Sequence, residues 1–150
     1  MSDLTIREAT RADLPALLAL LADDVLGRGR DHVEVDEAYE RAFAEITADP
    51  RNQQIVAELD AEPVACLQIT YIPGLGRHGA ERALIESVRV RSDLRGRGVG
   101  RQLMEWAVDQ ARQRGCGLVQ LTTDKSRADA HRFYRSLGFV ASHEGMKLPL

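Results

Sequence analysis

Apolar and polar residues alternate through Leu4-Thr5-Ile6-Arg7, which predicts a first strand. Thr10 and Asp13 then hold capping-box positions ahead of Leu14, Leu17, Leu18, Leu21 and Val25, a stripe at helical spacing. Gly27-Arg28-Gly29-Arg30 predicts the end of that helix. A second helix is expected from about Asp36 to Ile46, with Tyr39, Ala42, Phe43 and Ile46 on one side and Pro50 closing it. Residues 54–59 and 63–71 read as strands joined across Asp60-Ala61-Glu62, a hairpin pattern. A turning segment, Pro73 to Gly79, leads to a fourth strand, Ala83 to Val90. A long helix over Gln102 to Arg114 turns Val99, Leu103, Trp106, Ala107 and Ala111 inward and stops at Gly115. The remaining pattern predicts a strand over 118–123, a helix from about Arg127 to Leu137, a strand over Phe139 to Ala141 and a final strand over 145–148. The order β-α-α-β-β-β-α-β-α-β-β predicts an α/β chain of the α+β type: a meander of strands followed by one βαβ unit.

Chemistry concentrates between the fourth strand and the long helix, in Ser92-Asp93-Leu94-Arg95-Gly96-Arg97-Gly98-Val99-Gly100-Arg101. A glycine-rich turn there lets main-chain N–H groups approach an anion, and the helix start adds unpaired donors and a positive dipole end. Arg95, Arg97 and Arg101 add charge. A Walker A loop is excluded, because no Gly-Lys followed by Ser or Thr closes the run. A dinucleotide fingerprint is excluded too: glycines fall at 96, 98 and 100, and Arg101 occupies the third required position. The pattern that fits is Arg-x-x-Gly-x-Gly, as Arg95, Gly98 and Gly100.

That loop resembles the coenzyme A pyrophosphate loop of the GNAT superfamily of N-acetyltransferases. Ala130-His131-Arg132-Phe133-Tyr134-Arg135-Ser136-Leu137-Gly138-Phe139 is similar to the family's Ala-x-x-Phe-Tyr-x-x-x-Gly-Phe segment, in the family's order and spacing. The resemblance implies one GNAT-like domain over residues 1–150, with a mixed, mostly antiparallel sheet of about six to seven strands and about four flanking helices. It also implies acetyl-CoA as cosubstrate, no metal, and direct acetyl transfer to a primary amine of a small molecule or peptide. In that family the strands flanking the long helix splay apart around the thioester.

Acetyl transfer requires a neutral amine, donors for the developing oxyanion and help for the departing thiolate. The resemblance gives Tyr134 the last role; the alternative is that Tyr134 packs with Ala130, Phe133 and Leu137. Glu86 is the candidate base. Strand parity places it with Leu84, Val88 and Val90, where desolvation would raise its pKa, and a β-bulge would flip that parity. His78, in the preceding loop, is a lesser candidate and reads better as a solvated histidine. The main-chain N–H near Val90 is the oxyanion donor the resemblance implies, with Val88, Arg89 and Val90 counted among the cofactor contacts. The amides of Arg95, Gly96, Arg97, Gly98, Val99, Gly100 and Arg101 would hold the pyrophosphate. Family members often carry an asparagine after the fifth strand; here the segment is Asp124-Lys125-Ser126-Arg127-Ala128-Asp129, and Ser126 or Asp129 is the substitute.

Composition narrows the rest. A net charge of −3 gives no basic excess for nucleic acid. No apolar run approaches the ~20 residues of a membrane span. Met1-Ser2-Asp3-Leu4 lacks the features of a signal peptide, so the expected location is the cytoplasm. Cys66 and Cys116 form no disulfide framework or metal motif, and Cys116 has no histidine partner that would make it an acyl carrier. The segment Asp23 to Glu40 carries seven acidic residues, Asp23, Asp24, Asp31, Glu34, Asp36, Glu37 and Glu40, which suits a cationic amine or a plain solvated surface. Family members are often dimers, which is the basis for expecting a homodimer. The competing functions are a non-catalytic acyl-CoA-binding sensor and an enzyme that modifies a partner protein.

Overall fold

A computed structural model describes residues 3–23 and 34–150. The elements are β1 (Thr5–Glu8), α1 (Leu14–Ala22), α2 (Glu37–Ala48), β2 (Asn52–Leu59), β3 (Glu62–Ile72), a short helical turn α3 (Gly76–Gly79), β4 (Arg82–Val90), α4 (Val99–Arg114), β5 (Leu118–Leu121) and α5 (Ala128–Ser136). Five strands form one sheet in the order β1-β2-β3-β4-β5, with β1/β2, β2/β3 and β3/β4 antiparallel. The chain divides into two compact units, Met1–Gln120 and Leu121–Leu150. Among the described residues no helix is long and apolar enough to cross a membrane.

In the first unit the sheet is covered on both faces. Antiparallel partners point to the same side, so the register sorts the side chains. Val56 and Cys66, which are paired, pack with Leu14, Leu17, Leu18 and Leu20 of α1 and Phe43 of α2. On the other side Ile55, Leu67, Ile69 and Ile85 are fully buried, and α4 packs against β3 and β4. α4 buries Val99, Leu103, Met104, Ala107 and Ala111. Trp106, expected inside, is only half-buried; Met104 takes the inner place between the Val99-Leu103-Ala107-Ala111 rows.

Local chemistry explains the boundaries. A 3-10 turn over Arg11–Asp13 leads into α1, and the predicted capping box between Thr10 and Asp13 is present. The Asp13 carboxylate accepts the Thr10 N–H at 2.7 Å and two hydrogen bonds from Arg7 at 2.7 and 2.9 Å. Asp36 caps α2 by accepting the Tyr39 N–H at 3.1 Å. The β2–β3 hairpin turns on Asp60 and Ala61, both left-handed at φ 51° and 64°, the conformation of a tight two-residue turn. Val25 and Gly27 to Arg30, expected at the end of α1, lie outside the described residues.

The sheet therefore has five strands where six to seven were expected, and the two predicted closing strands are not formed. Within the second unit the chain leaves α5 through Gly138 at φ 97°, and the Ser142 N–H donates to Val140 O, a turn that breaks an extended run. Residues 139–150 contain no strand.

Candidate functional site

The loop after β4 is built from both ends. The Arg91 N–H donates to Val64 O at 2.8 Å, and the Arg91 guanidinium holds Asp93 at 2.6 and 3.0 Å. A 3-10 turn over Ser92–Leu94 follows, with Leu94 buried, and fully buried Val99 anchors the far end. Between these anchors Gly96 and Gly98 adopt φ 76° and 83°. A Cβ on either would meet nothing within 4 Å, so glycine is required there by conformation rather than by space.

Gly98 is the cap of α4, and the first helical hydrogen bond runs from the Gln102 N–H to Gly98 O at 3.1 Å. The N–H groups of Val99, Gly100 and Arg101 precede that bond and lack helical acceptors. Those of Gly96, Arg97 and Gly98 also have no main-chain acceptor among the described residues. Six consecutive donors thus stand at a helix N-terminus, with the Arg97 and Arg101 side chains beside them. This donor set fits a pyrophosphate. Arg101 forms an ion pair with Glu105 at 3.5 Å.

Arg95 is occupied differently. Its guanidinium donates to Val90 O at 3.2 Å and to Asp23 O at 3.0 Å, and the Asp23 carboxylate accepts the Ser92 N–H at 3.2 Å. Asp23 is the C-cap of α1, so the end of that helix and the start of the loop are tied together. Nothing in the sequence spacing pointed to this brace: the two residues are 72 positions apart.

The parity of β4 differs from the simple alternation. Gln68 pairs with Glu86 but Cys66 pairs with Arg89, so two residues of β4 stand opposite Leu67 alone. Ser87, at φ 54°, is the bulged residue. Glu86 therefore shares a face with Leu84 and Arg89, while Val88 and Val90 turn to the opposite face. Glu86 is exposed and not enclosed by aliphatic side chains, so the expected desolvation is absent. On that face its cross-strand neighbours are Gln68 and then Gln54. The two glutamines were not singled out from sequence, although Gln68 visibly interrupts the apolar run of β3.

In the second unit, Asp124 organises the turn before α5. Its carboxylate accepts the Ser126 N–H at 2.9 Å and the Ser126 hydroxyl at 2.6 Å, and these bonds hold the Asp124 pKa below the usual carboxylate range. Asp129 pairs with Arg132. Tyr134, on α5, is half-buried; its ring lies 5.1 Å from Phe133 and 5.9 Å, edge-on, from Phe139. The aromatic packing and the Phe-Tyr motif thus coexist in one residue.

His78 is exposed, with a left-handed backbone at φ 59°, as a solvated loop residue would be. Of the acidic segment, residues 24–33 lie outside the described residues; Asp36 is a helix cap, and Glu40 pairs with Arg11. Burial pushes the Cys116 thiol up, as does the neighbouring Glu81 carboxylate, which is the reverse of an activated nucleophile. Among the described residues no cluster of His, Cys, Asp or Glu has the makings of a metal site.

Comparison with known proteins joins these features. The pattern of the Acetyltransferase (GNAT) family matches residues 15–139. An aminoalkylphosphonate N-acetyltransferase of Salmonella typhimurium is 32% identical over 138 residues, 92% of this chain and 86% of that protein. An L-methionine sulfoximine/L-methionine sulfone acetyltransferase of Pseudomonas aeruginosa is 30% identical over 140 residues, 92% of this chain and 81% of that protein. The crystal structure of a transcriptional regulator from Bacillus halodurans C-125 superimposes with a TM-score of 0.96 at 52% identity, over 99% of this chain and all of that one. With the family pattern running from α1 to the end of the Phe-Tyr segment, and N-acetyltransferases aligned along most of its length, the chain belongs to the GNAT family of acetyl-CoA-dependent N-acetyltransferases.

Proposed function

We propose that this protein transfers the acetyl group of acetyl-CoA to a primary amine of a small molecule, directly, within a ternary complex. The observation that carries the reading is the run of six main-chain donors from Gly96 to Arg101, backed by the left-handed glycines that aim them. That cradle holds the pyrophosphate of coenzyme A, with Arg97 and Arg101 supplying charge. Arg95 supports the cradle from below through Val90 and Asp23. Val88, Arg89 and Val90 lie along the acyl end through their main chain, and the N–H near Val90 faces the oxyanion.

The amine nitrogen attacks the thioester carbon, the C–S bond breaks, and the nitrogen loses a proton. Glu86 accepts that proton directly or through water; its exposure on β4 suits relay to solvent. Tyr134 donates its hydroxyl proton to the departing thiolate and is reprotonated from solvent. Ser126 contacts the pantetheine arm with the oxygen lone pair left after its hydroxyl is donated to Asp124. A small acceptor is supported by the relatives named for an aminoalkylphosphonate and for L-methionine sulfoximine.

Thiol release from acetyl-CoA across a panel of amino acids, polyamines, aminoglycosides and lysine peptides tests the reading. Release with a small amine is expected. No release with any amine, while calorimetry still registers acetyl-CoA, would overturn it in favour of a sensor. Release with peptides alone would make it a protein-modifying enzyme.

A further inference from the structure

The main chain at the end of β4 has a direction that the register fixes. Val90 stands opposite Ala65, and the next N–H, that of Arg91, donates to Val64 O at 2.8 Å. Main-chain groups alternate in direction along an antiparallel strand. Since the Arg91 N–H points at β3, the N–H and C=O of Val90 both point away from it, to the side on which β5 follows in the sheet order.

Arg95 meets that outward carbonyl. Its Nε donates to Val90 O at 3.2 Å, so the planar Val90–Arg91 peptide is gripped at both ends, its oxygen by Arg95 and its N–H by Val64 O. A peptide held at both ends keeps one orientation, and the outward N–H of Val90 is set by it. Arg95 is itself held on its far side. Its Nη2 donates to Asp23 O at 3.0 Å and lies 3.9 Å from the Asp23 carboxylate. Asp23 is the C-cap of α1, where the negative end of the helix dipole favours a cation. The same carboxylate accepts the Ser92 N–H at 3.2 Å, just beyond Arg91. The end of α1 thus holds the end of β4 twice, through Arg95 and through Ser92.

We infer that the Arg95 side chain is a positioning residue: it aims the Val90 N–H at the oxyanion, with α1 behind it, and is not a ligand of the cofactor phosphates. The inference rests on the transferase reading above and separates Arg95 from Arg97 and Arg101, to which that reading gives the phosphates. A guanidinium suits the task because its planar fork donates in two fixed directions at once, which an ammonium on a flexible stem does not.

The test measures kcat by thiol release and the dissociation constant of coenzyme A by calorimetry, in wild type, Arg95→Gln and Arg95→Lys. Turnover is expressed per site that binds coenzyme A, so loss of folded protein lowers the number of sites and leaves kcat per site unmoved. Removing an oxyanion donor costs about 10²–10³ in kcat and misaiming one costs less, so Arg95→Gln should lower kcat per site by about tenfold or more. Coenzyme A has no reacting carbonyl and should bind Arg95→Gln within about threefold of wild type. Arg95→Lys keeps the charge without the fork, and its kcat should fall by about fivefold or more. A phosphate-binding Arg95 predicts the reverse, with weaker coenzyme A, unmoved kcat and a lysine that serves nearly as well. A wild-type kcat in either variant, or a loss of coenzyme A affinity larger than the loss of kcat, overturns the inference. Should Arg95→Gln fail to fold, Arg95→Lys decides alone. Failure of the transferase reading looks different: the wild-type protein itself releases no thiol with any amine.

Discussion

Gly98→Ala isolates what the cradle owes to backbone conformation. Gly98 sits at φ 83°, ψ 1°, and a Cβ built there has no neighbour within 4 Å. No steric clash with the rest of the protein arises, so the whole effect is the intrinsic cost of a left-handed alanine, about 1–2 kcal/mol. That cost is paid in one of two places. If the loop keeps its form, the protein loses that much stability, and at about 2–4 °C per kcal/mol the melting temperature falls by a few degrees. If the free loop relaxes, stability is kept and the strain is paid when the cofactor binds. Affinity for coenzyme A then falls by roughly 5- to 30-fold, at 1.4 kcal/mol per tenfold. Thermal unfolding of the free protein and calorimetry with coenzyme A measure the two shares, and their sum is the prediction. Gly98→Asn serves as a control with a smaller total, since asparagine tolerates the left-handed region. A Gly98→Ala protein that melts within a degree of wild type and binds coenzyme A within about twofold would refute the reasoning.

Three other outcomes are expected. Tyr134→Phe should change acetyl-CoA affinity little and lower turnover by about tenfold or more, read by thiol release; unchanged turnover would remove Tyr134 as the acid. The hydrogen bonds from Arg7, opposed by burial and aided by Thr10, hold the Asp13 pKa down, so its stabilisation is present above about pH 4 and lost as pH falls through the native value. Asp13→Asn should therefore cost roughly 1–3 kcal/mol at pH 7, with the gap to wild type narrowing at pH 3, as measured by urea unfolding. Burial pushes the Cys66 thiol up to about 12, so it should resist a disulfide reagent at pH 8 in the native protein and react once the chain is denatured; rapid native labelling of Cys66 would contradict the packing.

The parts legible from sequence were those with local causes. Gly96 and Gly98 between a strand and an amphipathic stripe announce a donor-lined turn, because the requirement for positive φ is written in the residue type. The Thr10–Asp13 box and the hairpin at Asp60 are legible from local spacing, a polar pair three residues apart ahead of an apolar stripe and a short polar break between two strand-like runs. The parity of Glu86 was not, because alternation assumes one residue per pleat and Ser87 carries no signature of a bulge. The Asp23–Arg95 brace was hidden by sequence separation, and the apolar residues 139–141 gave strand character with no guarantee of a partner strand.

The extra residue at Ser87 acts as a half-turn inserted into a ruler. Position 87 contributes length more than chemistry: its side chain is exposed and its φ of 54° is one glycine adopts freely, so Ser87→Gly is compatible with the fold. Deleting the same residue would leave Val88 alone opposite Leu67 and restore plain alternation, so Glu86 would stay opposite Gln68 and Arg89 opposite Cys66. A one-residue deletion at 87 would thus keep every β4 side chain on its own face and remove only the extra length, the local bend and the added twist with which the strand runs on toward the cradle.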